Sequence, residues 1–239
     1  MTKITKSKSF PYLPPNEEIK SIYRDVFLLT EELPERFLKK IFDKAISSLL
    51  LFFALPIFII LKILFVFEGI LIPENKGPMF FSYNSVSQGK IFPKYKIRII
   101  KVKYIDEEKA RLGLWEAYSS EWNPESRTII GTFVKNFYLD ELPQLYNILL
   151  GNMSFVGPRP LSELHYNMEI DQGNTYRKYI KGGLLGLGHV EKGTDNFGDP
   201  SYEYKYIDSY MKLSSLKFIA LDFHIILRGI ILIFKGGGH

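Results

Sequence analysis

"AISSLLLFFALPIFIILKILFVF", Ala45 to Phe67, is the stretch whose reading decides the fold. It holds 23 residues with one charge, Lys62, and a proline, Pro56, at its centre. About 20 apolar residues suffice to cross the hydrocarbon layer, so the length admits a transmembrane helix. It also exceeds an ordinary core helix. Two features oppose a plain crossing. Pro56 removes an amide donor and breaks or kinks the helix. Lys62 follows soon after, at a depth where a charge is costly unless it snorkels. A helix-break-helix hairpin, turning at Leu55-Pro56 and leaving on the face it entered, satisfies both. Ser47 and Ser48 could then partner the freed backbone groups. A single proline-kinked span is the other reading, and the sequence leaves both open. Arg36, Lys39, Lys40 and Lys44 ahead of the run suit a cytoplasmic start.

Outward from this run, the 239-residue chain carries a net charge of +5 and a pI of about 9.1. That length can bury a real core, as one large domain or two small ones. The basic balance favours anionic partners: phosphorylated ligands, an anionic membrane face or nucleic acid. There is no cysteine, which excludes disulfides and thiolate chemistry. His165, His189, His224 and His239 form no close pair, so no zinc-ligand spacing is visible. "MTKITKSKSF" is basic, but "PYLPPNEEIK" stands where a secretory signal needs an apolar segment. Residues 1–36 read as an extended arm with a short helix. "LKFIALDFHIILRGIILIF", Leu216 to Phe234, is apolar but interrupted by Asp222, His224 and Arg228. It suits a helix lying on the membrane surface or a plain core helix.

The middle of the chain carries the chemistry. Ile91 to Ile105 alternates Lys94, Lys96 and Arg98 with Tyr95, Ile97 and Ile99. This reads as a strand with one basic face, either solvated or turned toward phosphate. Asp106 to Tyr118 reads as a helix. In "YLDELPQLYNILLGNMSFVGPRP", Tyr138 to Pro160, Asp140 suits a helix N-cap, Pro143 the first turn and Gly151 the end. Leu142, Leu145, Tyr146 and Leu149 form a stripe at helical spacing. A helix start also welcomes an anion, and acids together with a phosphate need a cation, Mg²⁺ with Lys or Arg. Pro158 and Pro160 clamp Arg159, whose guanidinium suits bidentate phosphate binding.

These pieces together resemble the bacterial sugar transferases, the monotopic polyprenyl-phosphate phosphoglycosyl transferases. The resemblance runs from about Arg36 to the C-terminus, with its segments in the family's order. "RFLKKIFDKAISSLLLFFALPIFIILKIL" resembles the membrane entry helix, with Pro56 at the helix-breaking position. "TIIGTFVKNFYLDELPQLYNILLGNMSFVGPRPL" resembles the core signature, "IKGGLLGLGHV" the glycine-rich loop, and "EYKYIDSYMKLSSLKFIALDFHII" the closing helices. The resemblance implies an α+β, mostly helical, monotopic membrane protein with a proline-broken re-entrant helix. Its parts would be an arm at 1–36, a membrane segment at 37–72 and a small catalytic domain at 73–239 with an interfacial C-terminal helix. It implies residence in the bacterial inner membrane, with the catalytic domain facing the cytoplasm. It also implies a reaction in which sugar-1-phosphate passes from a nucleotide-diphosphate sugar, typically UDP-linked, to polyprenyl phosphate, with Mg²⁺ required. Asp140 is then the nucleophile, forming a phosphosugar-aspartyl intermediate, and a Mg²⁺ ligand. Glu141 assists it. Lys96, Arg98, Lys135, Arg159 and Arg177 would neutralise phosphate charge. Membrane lipid is a further partner, a homo-oligomer is allowed, and no motif supports nucleic-acid binding.

The chain departs from the family pattern upstream. A Gln, then an Arg followed by a Gly, usually come after the "GPMFF" segment; here "SYNSVSQGK" places Tyr83, Ser85 and Ser87. Lys135 replaces an Arg five places before Asp140, and Phe137-Tyr138 a Thr-Ser. In the glycine-rich loop Gly182 replaces a Pro, Leu185 a Thr and His189 a Gln. The alternative these changes raise is a non-catalytic membrane scaffold of the same fold.

Overall fold

A computed structural model describes residues 13–191 and 199–234 of the chain. Two short helices, α1 (Glu17–Ile22) and α2 (Arg24–Phe27), lead into the long α3 (Phe37–Leu71). A hairpin of β1 (Phe80–Ser87) and β2 (Lys90–Ile97) follows, then α4 (Glu107–Arg111), α5 (Ile129–Asn136) and α6 (Gln144–Leu150). The rest comprises β3 (Ser154–Val156), β4 (Leu161–Ser162), α7 (Glu163–Asp171), β5 (Gly183–Leu185), α8 (Ser201–Lys212) and α9 (Ser215–Phe234). The class is α+β and mainly helical, as expected.

The helix α3 spans 35 residues with Pro56 inside it, roughly 52 Å at 1.5 Å per residue. Where two helices meeting at Leu55-Pro56 were expected, the structure keeps one helix. A proline deletes one amide donor and crowds one carbonyl, so the ladder resumes on either side. The covered residues are Lys39, Asp43, Ser47, Ala54, Leu61, Phe65, Glu68 and Gly69. They recur at three, four or seven, one stripe along the whole length. Around them Phe52, Phe53, Ile59, Ile60, Ile63 and Phe67 are exposed.

Both ends of α3 are tied to the same body by polar contacts. Lys39 Nζ lies 2.7 Å from Asp222 on α9 and 3.3 Å from Asp43. Asp43 also accepts from the Ser154 hydroxyl of β3, and Asp222 from Tyr206 of α8. At the far end Glu68 Oε1 accepts from the Ile129 amide at 2.6 Å, at the start of α5, and from Asn75 at 2.9 Å. Two apolar clusters fill the body. One gathers Val26, Leu145, Phe155, Tyr204 and Phe218; the other gathers Leu61, Phe65, Ile97, Ile99 and Val134. The arm joins the first through Phe27, stacked on Tyr204 at 4.7 Å.

The β1–β2 hairpin turns on Gln88 (φ 51°) and Gly89 (φ 67°), the two left-handed positions that a tight hairpin turn requires. Its register pairs Tyr83 with Lys94 and Ser85 with Phe92, and β4 covers the other edge of β1. The strand expected over Ile91–Ile105 ends at Ile97, because Arg98 turns its donors onto local carbonyls. Ile100 then bridges Arg127, and a single 3-10 turn covers Val102–Tyr104. The helix expected over Asp106–Tyr118 is divided. Asp106 caps α4, Gly113 (φ 73°) ends it, and a 3-10 stretch, Trp115–Trp122, follows. The last helix, α9, has one buried face and one exposed apolar face: Phe218, Asp222 and Ile225 are buried, while Phe223, Leu227, Ile230 and Ile231 are exposed.

Candidate active site

Asp140 and Glu141 lie on a 3-10 turn, Leu139–Glu141, between α5 and α6. Tyr138 enters that turn at φ 55°, a left-handed conformation rare for a tyrosine. Asp140 was expected to cap the following helix. Instead α6 starts from Pro143 with no side-chain cap, and the Asp140 carboxylate points to β2. Its Oδ2 lies 2.8 Å from Lys96 Nζ. Both carboxylates are buried.

Each acid has its own cation. Lys96 serves Asp140 and reaches Glu121 of the Trp115–Trp122 stretch at 3.7 Å. Arg159 clamps Glu141 with both terminal nitrogens, NH1 at 3.1 Å from Oε2. Burial opposes charge on Glu141, but Arg159 and Lys96 outweigh it and hold this carboxyl well below the usual range. Burial likewise opposes Lys96, and Asp140 with Glu121 raise it well above an ordinary lysine. Glu121 stays lowered against its burial through Lys96 and Lys135. Burial, with Glu141 nearby, lifts the Tyr138 hydroxyl to about 12. Glu141, Glu121 and Lys96 are therefore held in their charged forms by one another and by Arg159.

The other expected residues divide. Lys135 sits 4.8 Å over the Trp122 ring and, being buried beside Lys96, is lowered despite Glu121. Arg177 donates to the Arg159 carbonyl at 3.0 Å, so it positions the loop that carries Arg159. Arg98 does not join the acids. Its donors go to the carbonyls of Pro78 (2.7 Å), Ile100 (2.6 Å) and Asn75 (2.9 Å), apart from the acid pair it was expected to accompany. Pro56 lies on the exposed side of α3.

The loop bearing Arg159 is held by the glycine-rich segment. Gly157 donates to Leu185 at 2.8 Å, and Gly183 donates to Pro158 at 2.9 Å. A Cβ at Gly183 would collide with the Gly157 backbone, so only glycine allows this approach. Two departures from the family pattern meet here: Ser87 Oγ accepts from the Gly182 amide at 2.9 Å. A proline at 182 has no such donor, so the two changes support each other.

Several participants escaped the sequence reading. Glu121 lies in "WEAYSSEW", which has no legible period, and His189, met in the sequence only as a departure from the family pattern, helps lower Glu141. Tyr83, read in the sequence only as a departure from the family pattern, is buried against the cluster from β1. Its pairing with Lys94 could have been found from the hairpin register.

As for Mg²⁺, Asp140 Oδ2 is engaged by Lys96 among the described residues. No group of three or more His, Asp or Glu suited to a metal occurs among them. A single carboxylate oxygen completed by substrate phosphates is a usual Mg²⁺ arrangement, so Asp140 fits that limited role.

Residues 34–236 match the model of the bacterial sugar transferase family. The undecaprenyl-phosphate galactose phosphotransferase of Salmonella typhimurium is 33% identical over 168 residues, 67% of this chain and 34% of that protein. The exopolysaccharide production protein ExoY of Rhizobium meliloti is 28% identical over 203 residues, 82% of each. A putative undecaprenyl-phosphate N-acetylgalactosaminyl 1-phosphate transferase of Bacillus subtilis is 39% identical over 103 residues, 43% of this chain and 53% of the relative. The chain thus spans about a third of the Salmonella protein's length.

Proposed function

The chain belongs to the bacterial sugar transferase family, and from that membership and the geometry of the acid pair we propose that it is a sugar-1-phosphate transferase. It would move sugar-1-phosphate from a nucleotide-diphosphate sugar, a UDP-sugar, to polyprenyl phosphate and so initiate a lipid-linked glycan. The carrying observation is Asp140: a buried carboxylate held by Lys96 at 2.8 Å, beside a Glu141 clamped by Arg159.

Asp140 presents a carboxylate oxygen to the β-phosphorus of the donor. The P–O bond to the bridging oxygen breaks, and nucleoside monophosphate leaves with that electron pair. A phosphate oxygen of the lipid then attacks the same phosphorus, and the aspartyl carboxylate is released. A carboxylate suits this exchange because it is ionised at neutral pH, and the acyl phosphate it forms is a good donor. Lys96, 2.8 Å from Asp140, holds its carboxylate in place and neutralises developing phosphate charge. Arg159 fixes Glu141, which orients the acceptor phosphate. Mg²⁺, when bound through Asp140, would neutralise charge on the diphosphate.

The membrane setting belongs to the same proposal. The outer surface of α3 is apolar and long enough to cross a bilayer. Ile129 and Phe133 of α5, with the adjoining Phe137, and Phe223, Leu227 and Ile230 of α9, are exposed beside it, α5 and α9 both packing against it. Both ends of α3 are anchored to one body by buried polar contacts. This favours a helix that enters and stays on one side, with the catalytic body on the cytoplasmic face of the bacterial inner membrane. Tags at the two termini should be accessible from the same face; opposite faces would reject this topology.

Purified protein with UDP-sugars, Mg²⁺ and undecaprenyl phosphate should release UMP, and Asp140→Asn should abolish release with folding intact. No release across a broad donor panel would favour the non-catalytic scaffold instead.

A further inference from the structure

β2 sends two ammonium groups into the site, and only one of them has a carboxylate. Lys94 and Lys96 share a face of the strand. Lys94 is 4% exposed, yet no acid lies within ion-pair distance of it among the described residues. Its Nζ donates to the Pro160 carbonyl at 3.2 Å and rests 4.8 Å above the Tyr83 ring. An ammonium has three donors, so most of its capacity is unspent. Burial, then Arg159 and Lys96, press it well below the ordinary lysine value, and the more weakly felt Glu141 and Glu121 do not offset them. Ser85 lies on the same face of β1 as Tyr83. It is fully buried, and its hydroxyl has no partner among the described residues.

A buried cation without a counter-charge, beside two other cations, costs stability that an apolar side chain would not. An arriving anion reverses that balance. We propose that Lys94, with the Ser85 hydroxyl, forms an oxyanion subsite that receives a phosphate oxygen of a substrate beside the acid pair. This rests on the function proposed above and adds a binding residue to it. Tyr83 supports the ammonium from below, and the Pro160 carbonyl links the subsite to the loop that carries Arg159.

The test uses the full chain in detergent with Mg²⁺, comparing wild type, Lys94→Met and Lys94→Arg. Lys94→Met should raise the KM of one phosphate substrate by about 10- to 100-fold, the loss of a charge-assisted hydrogen bond. Its kcat should change only a few-fold, and Lys94→Arg should recover part of the loss. Without substrate, Lys94→Met should melt at or above the wild-type temperature. A rise confined to the UDP-sugar assigns the subsite to the diphosphate; a rise confined to undecaprenyl phosphate assigns it to the lipid. Unchanged KM for both, or a lower melting temperature with equal loss in both variants, overturns the inference. Titration with UDP separates this from the function itself. Absence of UMP release with UDP binding that Lys94→Met weakens tenfold rejects the reaction and keeps the subsite. Where no UMP is released, UDP binding that the variant leaves unchanged, or no UDP binding by wild type, rejects the subsite.

Discussion

Glu203 ties the stability of the glycine-rich loop to pH. It sits on α8, 1% exposed, and neither carboxylate oxygen has a hydrogen bond among the described residues. Gly188 lies directly against it: a Cβ there would come 2.9 Å from Oε1. Burial lifts this carboxyl from 4.5 to about 7, Arg177 opposing and Glu169 adding. The protonated form is thus favoured in the fold relative to the unfolded chain. Stability from this group is complete below pH 4.5 and is lost as pH climbs through 7, because the folded protein holds the extra proton across that window. At 1.36 kcal/mol per pH unit the loss is about 3 kcal/mol. Glu203→Gln removes the titration but leaves a buried amide, so the slope is a cleaner readout than the absolute value. Denaturation in micelles, followed by the fluorescence of Trp115 and Trp122, should give a wild-type-minus-variant difference that falls by about 3 kcal/mol from pH 4.5 to 7.5. Parallel curves for the two proteins would refute the reasoning.

Other outcomes follow from single contacts. Lys39→Met leaves Asp43 and Asp222 buried without their cation and should cost about 3–5 kcal/mol; a loss below about 1 kcal/mol by the same denaturation assay would show that the network does not anchor α3. Arg98→Met strands three carbonyls and should cost at least about 3 kcal/mol. Its folded fraction should keep the wild-type donor KM, whereas a raised KM with normal stability would restore Arg98 to phosphate binding. Lys96→Met should lower UMP release at least about 100-fold, since it removes the charge partner of Asp140. Near-normal turnover would move charge neutralisation elsewhere.

The parts legible in the sequence are those with a local signature. The apolar run around Pro56 marked the long α3, alternation marked β2, and the paired acids and Pro-Arg-Pro marked residues that the fold brings together as Glu141 and Arg159. What stayed hidden depends on contacts distant in the chain. Whether α3 crosses or stays on one side turns on Lys39 meeting Asp222 and Glu68 meeting Ile129, pairs that no window of sequence contains. Arg98 misled because period two continued past the point where the strand ends. Glu121 was missed because a 3-10 stretch buries it without any regular pattern. The departures at Ser87 and Gly182 looked like losses when read singly. In three dimensions they share a hydrogen bond.

The central claim is that Asp140 carries the sugar phosphate covalently. Mixing the protein with UDP-sugar and Mg²⁺, without polyprenyl phosphate, and quenching in acid tests it most directly. The account predicts a burst of UMP stoichiometric with enzyme and a sugar-phosphate mass increase on the peptide containing Asp140, absent in Asp140→Asn. Full turnover with both substrates present, but neither burst nor adduct without the acceptor, would contradict it and point to direct transfer from donor to lipid.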